Sequence, residues 1–402
     1  MLTIKQRYLL INCVNWMATS LTFPIITVFL ISTQMVSVVQ IGILEIILLA
    51  SCLFSEVPAG FLADKFSKKN CYLFSILICF FAFLGLLIAH NFTMVVVSYM
   101  LWGISQAFHS GGLDAWFINS YELNDQKKDK ETSSAFKLLN VINPIAIGSG
   151  AIIGLFLSIN DYGYRIPIMA SLCLLCITFI LGLIYIKESN RHSKYYQRRK
   201  ADLKVLSIIK SINYDYGLIL SLSVGYAVIF GFLETFWLMF MLNNGFGKIN
   251  SGIAYTSAYY ISAIFVLYCV KVGLNKEKNW KIILILRTLF LFLFLALGWV
   301  NHSYLFFVII FILLYTTSFI EAPYIQYELN QSINNEYRAT LLSIEMTTRR
   351  IFSAVGIFLG GYVIEKYNFN VSIISLFLLS SLSTIPFVAN VFFSKKYSRG
   401  TV

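Results

Sequence analysis

Long apolar runs fill most of this sequence, and short charged segments separate them. The 402 residues are 58% hydrophobic and 12% charged. A typical soluble domain has about 25% charged residues, so this composition excludes a soluble globular protein. A helix needs about 20 apolar residues to cross the hydrocarbon layer of a bilayer. The runs therefore predict an all-α polytopic membrane protein.

The apolar runs predict twelve spans, and the charges between them predict an orientation. The spans lie near 8–30, 38–61, 71–89, 93–119, 133–158, 165–187, 213–241, 250–270, 280–299, 303–325, 338–364 and 369–394. Segments after even-numbered spans are rich in Lys and Arg, whereas those after odd-numbered spans hold almost none. Because cationic loops stay on the cytoplasmic side during insertion, we expect both termini in the cytoplasm. These loops explain the net charge of +12, and no nucleic-acid partner is expected.

The longest polar segment divides the spans into two sets of six. We predict a first half at 1–187, a basic cytoplasmic linker at 188–210 and a second half at 211–402. Pairs of glycines four residues apart recur at matching places in the fifth and eleventh spans: Gly150 and Gly154, then Gly356 and Gly360. Such pairs allow helix backbones to approach closely. Their recurrence favours two related halves.

A charged motif lies between the second and third spans, within Pro58–Asn70. It resembles the signature loop of the major facilitator superfamily, G-x-L-A-D-[RK]-x-G-[RK]-[RK]. The matching positions are Gly60, Leu62, Ala63, Asp64, Lys65, Lys68 and Lys69, and Ser67 stands where the family has glycine. The resemblance implies the superfamily fold, with 12 transmembrane helices in two pseudo-symmetric six-helix halves. It also implies a secondary transporter, which we assign to the drug- and antibiotic-efflux-like branch.

The resemblance gives the loop a gating role. In the family the aspartate of the motif docks against the inner end of the eleventh helix. Asp64 is therefore expected near Ala339–Thr340, where the helix dipole favours a negative charge. The residues expected to gate the cytoplasmic side are Gly60, Asp64, Lys65, Lys68 and Lys69. A structural charge cluster is expected in the eleventh span, where Glu345 and Arg349 share a helical face beside Arg350.

Several ionisable side chains lie inside the predicted spans. Each costs at least ~2.5–3.5 kcal/mol on insertion scales, so it needs a partner, a cavity or a function. The resemblance implies a central cavity lined by the first, fourth, seventh and tenth helices. Our candidates for proton coupling or the substrate cavity are Glu234, Asp114, Glu45, Glu321, His109, Asn15 and Trp237. Glu234 leads because its run, Val228–Leu242, holds no basic residue; a satisfied structural carboxylate is the alternative for each acid.

Motifs for catalysis and for nucleotide binding are missing from the sequence. No P-loop, zinc-protease or hydrolase motif occurs, so we predict neither an enzyme nor an ATP-driven pump, and we expect no metal or other cofactor. The leading hypothesis is proton-coupled export of small amphipathic compounds (a drug, an antibiotic or a peptide toxin) by rocker-switch alternating access. The expected setting is the bacterial plasma (inner) membrane. The expected partners are a small-molecule or small-peptide substrate, protons and lipid, and a monomer is sufficient.

Alternatives to this hypothesis stay open at the level of sequence. They are proton-linked uptake of a nutrient, self-immunity export of one natural product, and a non-transporting receptor or scaffold. Two motifs of drug exporters are unmatched. The arginine expected in the fourth span falls near Tyr99, and Pro144 with Gly148 only approximates the fifth-span motif. The direction of transport is therefore undecided.

Overall fold

The computed structural model describes residues 2–33, 36–65, 67–114, 116–117, 120, 125–159, 164–187, 213–272, 279–299, 303–333 and 338–393. The predicted linker, 188–210, lies outside these residues. The α-helices are α1 (Ile4–Ser20), α2 (Phe23–Thr33), α3 (Val38–Lys65), α4 (Lys68–Ile88), α5 (Phe92–His109), α6 (Asp125–Leu157), α7 (Arg165–Tyr185), α8 (Tyr214–Asn243), α9 (Lys248–Val272), α10 (Asn279–Leu297), α11 (Tyr304–Ser332), α12 (Arg338–Lys366) and α13 (Phe369–Phe393). A π-helical turn, Ser110–Asp114, continues α5.

Each predicted span coincides with helix, and the first span is broken into α1 and α2. The break follows Leu21, where the hydroxyl of Thr22 donates a hydrogen bond back to the carbonyl oxygen of Thr19. Pro24 has no amide hydrogen and is favoured in the first turn of a helix, so it begins a new helix more easily than it continues one. The fifth span also differs from its prediction, because α6 begins at Asp125 rather than near residue 133.

Eight described segments are long and apolar enough to cross a membrane. They are Ile4–Thr33, Val38–Glu56, Lys68–Ile88, Arg165–Tyr185, Tyr214–Asn243, Asn279–Leu297, Tyr304–Leu329 and Phe369–Val391. The apolar part of α6 is shorter, at Val141–Leu157. Within α12, the charged residues Glu345, Arg349 and Arg350 lower its hydropathy. These charges are paired inside the bundle, as described below, which is how a less apolar helix is accommodated in a membrane.

The same helix pairs pack together in each half. In the first half, α1 packs on α6 and α7, α5 on α3 and α4, and α4 on α7. In the second half, α8 packs on α12 and α13, α11 on α9 and α10, and α10 on α13. Every one of these contacts recurs six spans later, when α1 and α2 count as one span. Between the halves, α3 packs on α12 and α6 packs on α9, which are also equivalent by the repeat. The fold is therefore two pseudo-symmetric halves of six spans each, and the first span is broken into two helices.

The matched glycines lie at equivalent helix contacts. A Cβ atom at Gly154 would collide with the carbonyl group of Leu21, and one at Gly356 would collide with the carbonyl group of Val228. The first contact joins the fifth span to the first, and the second joins the eleventh to the seventh. Only glycine permits so close an approach of two backbones, so the repeat seen in the sequence reflects repeated packing.

The two halves also contact each other at the end of the bundle remote from the termini. The Thr27 hydroxyl donates to the carbonyl oxygen of Thr235 at 2.9 Å. The backbone amide of Val39 donates to the Glu365 carboxylate at 3.0 Å, which caps α3 with a side chain of the other half. The first bond joins α2 to α8 at the residue next to Glu234, and the second joins α3 to α12.

Candidate functional site

Three tyrosine hydroxyls converge on the carboxylate of Glu234 in α8. Tyr315 of α11 donates to Oε1 at 2.5 Å, and Tyr255 and Tyr259 of α9 donate to Oε2 at 2.8 and 3.0 Å. The tyrosine side chains are buried, and Glu234 is partly buried. We call these four residues the tyrosine cage. Hydrogen bonds to an ionised acceptor are the strong ones, so the cage offsets much of the cost of removing this carboxylate from water.

Further aromatic rings enclose the tyrosine cage. Trp237, one turn after Glu234, stacks on Tyr255 with ring centroids 4.2 Å apart and an interplanar angle of 12°. Phe230 and Phe319 are only partly buried, and both pack against the cage tyrosines, with centroids 5.8 Å from Tyr315 and 5.5 Å from Tyr259. The part of this region that a ligand could reach therefore combines one carboxylate with two apolar rings.

Helical spacing explains why these side chains meet. Tyr255 and Tyr259 are four residues apart and share one face of α9, while Glu234 and Trp237 are three apart on α8. The sequence analysis identified Glu234 and Trp237 but missed all three tyrosines. A tyrosine pair at this spacing in the eighth span was a usable signal. The family resemblance does not point to this pair, because it places the first, fourth, seventh and tenth helices around the cavity.

The tyrosine cage can hold the carboxyl group in either protonation state. A tyrosine hydroxyl both donates and accepts a hydrogen bond. When Glu234 is ionised, all three hydroxyls donate to it, as observed. When Glu234 is protonated, its own hydroxyl needs an acceptor, and rotation of one tyrosine hydroxyl supplies one. Proton binding at this site therefore requires rotation of a hydroxyl and no rearrangement of the helices.

A second polar site lies in the first half, between α1 and the π-helical turn. The hydroxyl of Tyr8 donates to Oδ1 of Asp114 at 2.8 Å. Nδ2 of Asn15 lies 3.2 Å from Nε2 of His109. Tyr8 also stacks on Phe117 with centroids 4.0 Å apart. The structure thus brings together three of the predicted residues, Asp114, His109 and Asn15, in a place separate from the tyrosine cage.

Glu321 lies in a buried ion pair that the sequence analysis did not consider. Nη2 of Arg287 in α10 lies 2.9 Å from Oε1 of Glu321, and both side chains are 1% exposed. Nη1 of Arg287 donates to the carbonyl oxygen of Leu222 at 2.9 Å. The pair therefore joins α8, α10 and α11. An arginine in the apolar ninth span was the available signal. The structure gives Glu321 a charged partner, and its role in proton coupling stays a prediction.

The charges of α12 separate into two ion pairs. Glu345 lies 2.8 Å from Nε of Arg349, and it also accepts a hydrogen bond from the hydroxyl of Ser223 at 2.7 Å. Arg350 does not join Glu345 and Arg349, because consecutive residues point about 100° apart around a helix. It pairs instead with Glu56 of α3 at 2.8 Å. The Glu56–Arg350 pair joins the two halves.

The remaining candidates lie elsewhere. Glu45 is partly buried on α3 near Tyr99, and within the described residues no hydrogen bond or ion pair is formed by its carboxylate.

In the loop motif, Nζ of Lys69 donates to the carbonyl oxygen of Leu183 at 2.7 Å, and Lys68 is partly buried. A Cβ at Gly60 would meet no described atom within 4 Å. Asp64 and Lys65 belong to α3, but their side chains and those of Ala339 and Thr340 lie outside the described residues, so the gating contact stays a prediction.

Ser67 explains the one departure from the loop motif. It is the N-cap of α4, and its side chain accepts a hydrogen bond from the backbone amide of Asn70 at 3.0 Å. Serine is among the preferred N-cap residues because its oxygen satisfies an amide at the helix start. The substitution for glycine therefore stabilises the beginning of α4.

Comparisons with known proteins agree with this architecture. The profile of the Major Facilitator Superfamily matches residues 8–357. The uncharacterized MFS-type transporter YxaM of Bacillus subtilis (strain 168) is 24% identical over 67% of this chain and 66% of its own length. The uncharacterized MFS-type transporter YdeE of Escherichia coli (strain K12) is 30% identical over 30% of each chain. The chain thus matches less than two thirds of the length of these curated relatives.

Solved transporter structures share the fold over nearly the whole chain. The POT family transporter PepTSo superposes with a TM-score of 0.71 and 10% identity, covering 98% of both chains. The nucleoside transporter NupG superposes with a TM-score of 0.72 and 13% identity, covering 98% of this chain and all of the other. With the loop motif and the six-span repeat, these findings show a multi-pass membrane transporter and not an enzyme: the chain belongs to the Major Facilitator Superfamily.

Proposed function

We propose that this transporter exports small amphipathic compounds in exchange for protons, by rocker-switch alternating access in a bacterial plasma membrane with both termini in the cytoplasm. The tyrosine cage carries the proposal. A carboxylate in aromatic surroundings offers a counter-charge to a cationic or polar group, and the neighbouring phenylalanine rings accept an apolar body. Protonation of the same carboxylate would release the cargo. The mutual contacts of α3 with α12 and of α6 with α9 supply the surfaces on which the halves would rock.

The proposal is tested with a panel of dyes, antibiotics and small peptide toxins in a bacterial host that lacks its own efflux pumps. We expect the intact chain to confer resistance to at least one compound, and Glu234→Gln to abolish that resistance. A hydrogen bond to a charged group is worth about 1.5–3 kcal/mol, so Tyr315→Phe should reduce transport roughly tenfold or more while leaving the ring in place. Tyr367→Phe is the matched control, since Tyr367 is 61% exposed at the end of α12.

The outcomes separate the alternatives. Resistance that persists in Glu234→Gln at matched expression would contradict the role of the cage. Resistance to one natural product alone would identify a self-immunity exporter. Absence of any resistance would reject export, and growth on single nutrients would then test proton-linked uptake. A protein that is inactive in both assays would support the alternative of a non-transporting receptor or scaffold.

A further inference from the structure

We propose that His109 and Asp114 form a second, proton-carrying site in the first half, separate from the cargo site at Glu234. This inference rests on the proposed proton coupling and assigns its residues. Neither residue contacts the tyrosine cage in the structure. Both lie on or next to the π-helical turn, and each is hydrogen-bonded to α1.

The π-helical turn places the two groups on one face of the helix. Residues five apart in an α-helix point about 140° away from each other, because each residue turns the helix by about 100°. In a π-helical turn residues five apart are hydrogen-bonded neighbours, so His109 and Asp114 face the same way. Gly112 makes this turn possible against α4: a Cβ there would lie 2.6 Å from the backbone nitrogen of Tyr72. π-helical turns recur at functional sites of proteins.

The partners on α1 have matching spacing. Tyr8 and Asn15 are seven residues apart, which is two turns and about 10 Å along one face. Asn12 lies between them, and its Nδ2 donates to the carbonyl oxygen of Tyr8 at 3.2 Å. The contact between the first and fourth spans therefore consists of two polar rungs, Tyr8–Asp114 and Asn15–His109. A change of protonation in either rung acts directly on the contact between these two helices.

Few titratable groups among the described residues face His109 and Asp114. On α1 the titratable group that faces them is Tyr8, and on α4 they are Tyr72, whose ring centroid lies 5.5 Å from that of His109, and Cys71. The thiol of Cys71 is directed to the carbonyl oxygens of Ala59 and Phe108. Lys5 and Arg7 of α1 are engaged with Ser134 and with the backbone of Leu2. Among the described side chains, no basic residue forms an ion pair with Asp114.

Proton binding would alter both rungs. Neutral His109 can accept the hydrogen bond from the amide nitrogen of Asn15, whereas the imidazolium carries hydrogen on both nitrogens and cannot accept it. Asn15 must then turn its carbonyl oxygen toward His109. When Asp114 gains a proton, it becomes a donor and the Tyr8 hydroxyl must accept. Each proton comes from water on one side of the membrane and returns to water on the other, and no other bond is formed or broken.

The test is a proton titration of the purified full chain in detergent, with a pH-indicator dye in unbuffered solution. We expect Asp114→Asn and His109→Gln each to bind about one proton fewer than the intact chain, and the double variant about two fewer. Tyr8→Phe is the control: it retains the carboxyl group of Asp114 and should keep the number of protons. If Asp114→Asn does not fold, His109→Gln tests the site by itself.

An unchanged proton count in Asp114→Asn and His109→Gln would overturn the proposal. Groups that keep one protonation state over the whole titrated pH range would give that result. A second arm uses proteoliposomes with ethidium as the probe. We expect Asp114→Asn to lose at least tenfold of the transport driven by a pH gradient. Ethidium transport that is missing even in the intact chain would count against the proposed cargo class alone, since the proton count is measured without cargo.

Discussion

The two halves share one way of holding a buried carboxylate but use it at different places. In the first half one tyrosine of the first span donates to Asp114, and in the second half three tyrosines of the eighth and tenth spans donate to Glu234. Tyr8 is four residues into α1, about 6 Å along its axis, while Glu234 is twenty residues into α8, about 30 Å along. The helix packing is repeated and the polar chemistry is not. The halves thus provide one scaffold with sites at two depths.

The way each half is held together differs as well. The second half contains a buried ion pair, Arg287–Glu321, that links three helices. In the first half, hydroxyl and thiol groups bonded to backbone carbonyls occupy comparable contacts between described helices. An example is the thiol of Cys71 on the carbonyl oxygen of Phe108, between α4 and α5, which are equivalent by the repeat to α10 and α11. Loss of one partner costs about 3–5 kcal/mol in a buried ion pair and about 1–3 kcal/mol in a buried neutral hydrogen bond.

The largest expected effect comes from breaking the buried pair. Arg287→Leu leaves the Glu321 carboxylate unpaired in an apolar interior, which should cost about 3–5 kcal/mol of stability. We expect little monodisperse protein and a large fall in the midpoint of thermal unfolding in detergent. The double variant Arg287→Leu with Glu321→Leu should recover most of the loss, because a packed apolar pair replaces the ion pair. Transport by that double variant would remove Glu321 from the list of coupling candidates.

An intermediate effect is expected at the matched glycines, and it tests the equivalence of the halves. Gly154→Ala and Gly356→Ala each place a methyl group against a backbone carbonyl, so each should destabilise the protein by about 1–3 kcal/mol. The thermal midpoints of the two variants should fall by similar amounts. Gly217→Ala is the matched control, because a Cβ there meets no described atom within 4 Å. A loss in one half only would show that the repeated contact is not equally tight.

The smallest effect on stability is expected at the charged contact between the halves. Glu56 and Arg350 are about one third exposed, so their pair should contribute at most ~1 kcal/mol. In the equivalent contact of α6 with α9, the described side chains include a neutral pair, the hydroxyls of Ser149 and Tyr260, 2.6 Å apart. Arg350→Ala should therefore slow transport more than it lowers the thermal midpoint. Exchanging the charges, Glu56→Arg with Arg350→Glu, should restore transport. If it does not, transport depends on which side chain stands at each position and not on the attraction between the two charges.

Much of the architecture was predictable because a bilayer imposes strong rules. Twelve apolar runs, an alternation of basic loops and a charged motif between the second and third spans lead to the fold and the family. The glycine pairs predicted related halves, and Gly154 and Gly356 lie at equivalent contacts. The spacing of four residues within one helix also predicted the contact between Glu345 and Arg349. These features depend on neighbours in sequence or on burial in lipid, and both are visible in the chain itself.

Only the tertiary structure decided which acid has which partner. Glu234 and Glu321 look alike as carboxylates in apolar spans, yet one accepts bonds from three tyrosines and the other pairs with Arg287. Arg350 adjoins Arg349 in sequence and contacts the opposite half. His109 and Asp114 face one helix only because a π-helical turn joins them. Hydrophobic patterning specifies that a helix is buried, but contacts between helices depend on rotation and depth, which packing sets once the bundle has formed.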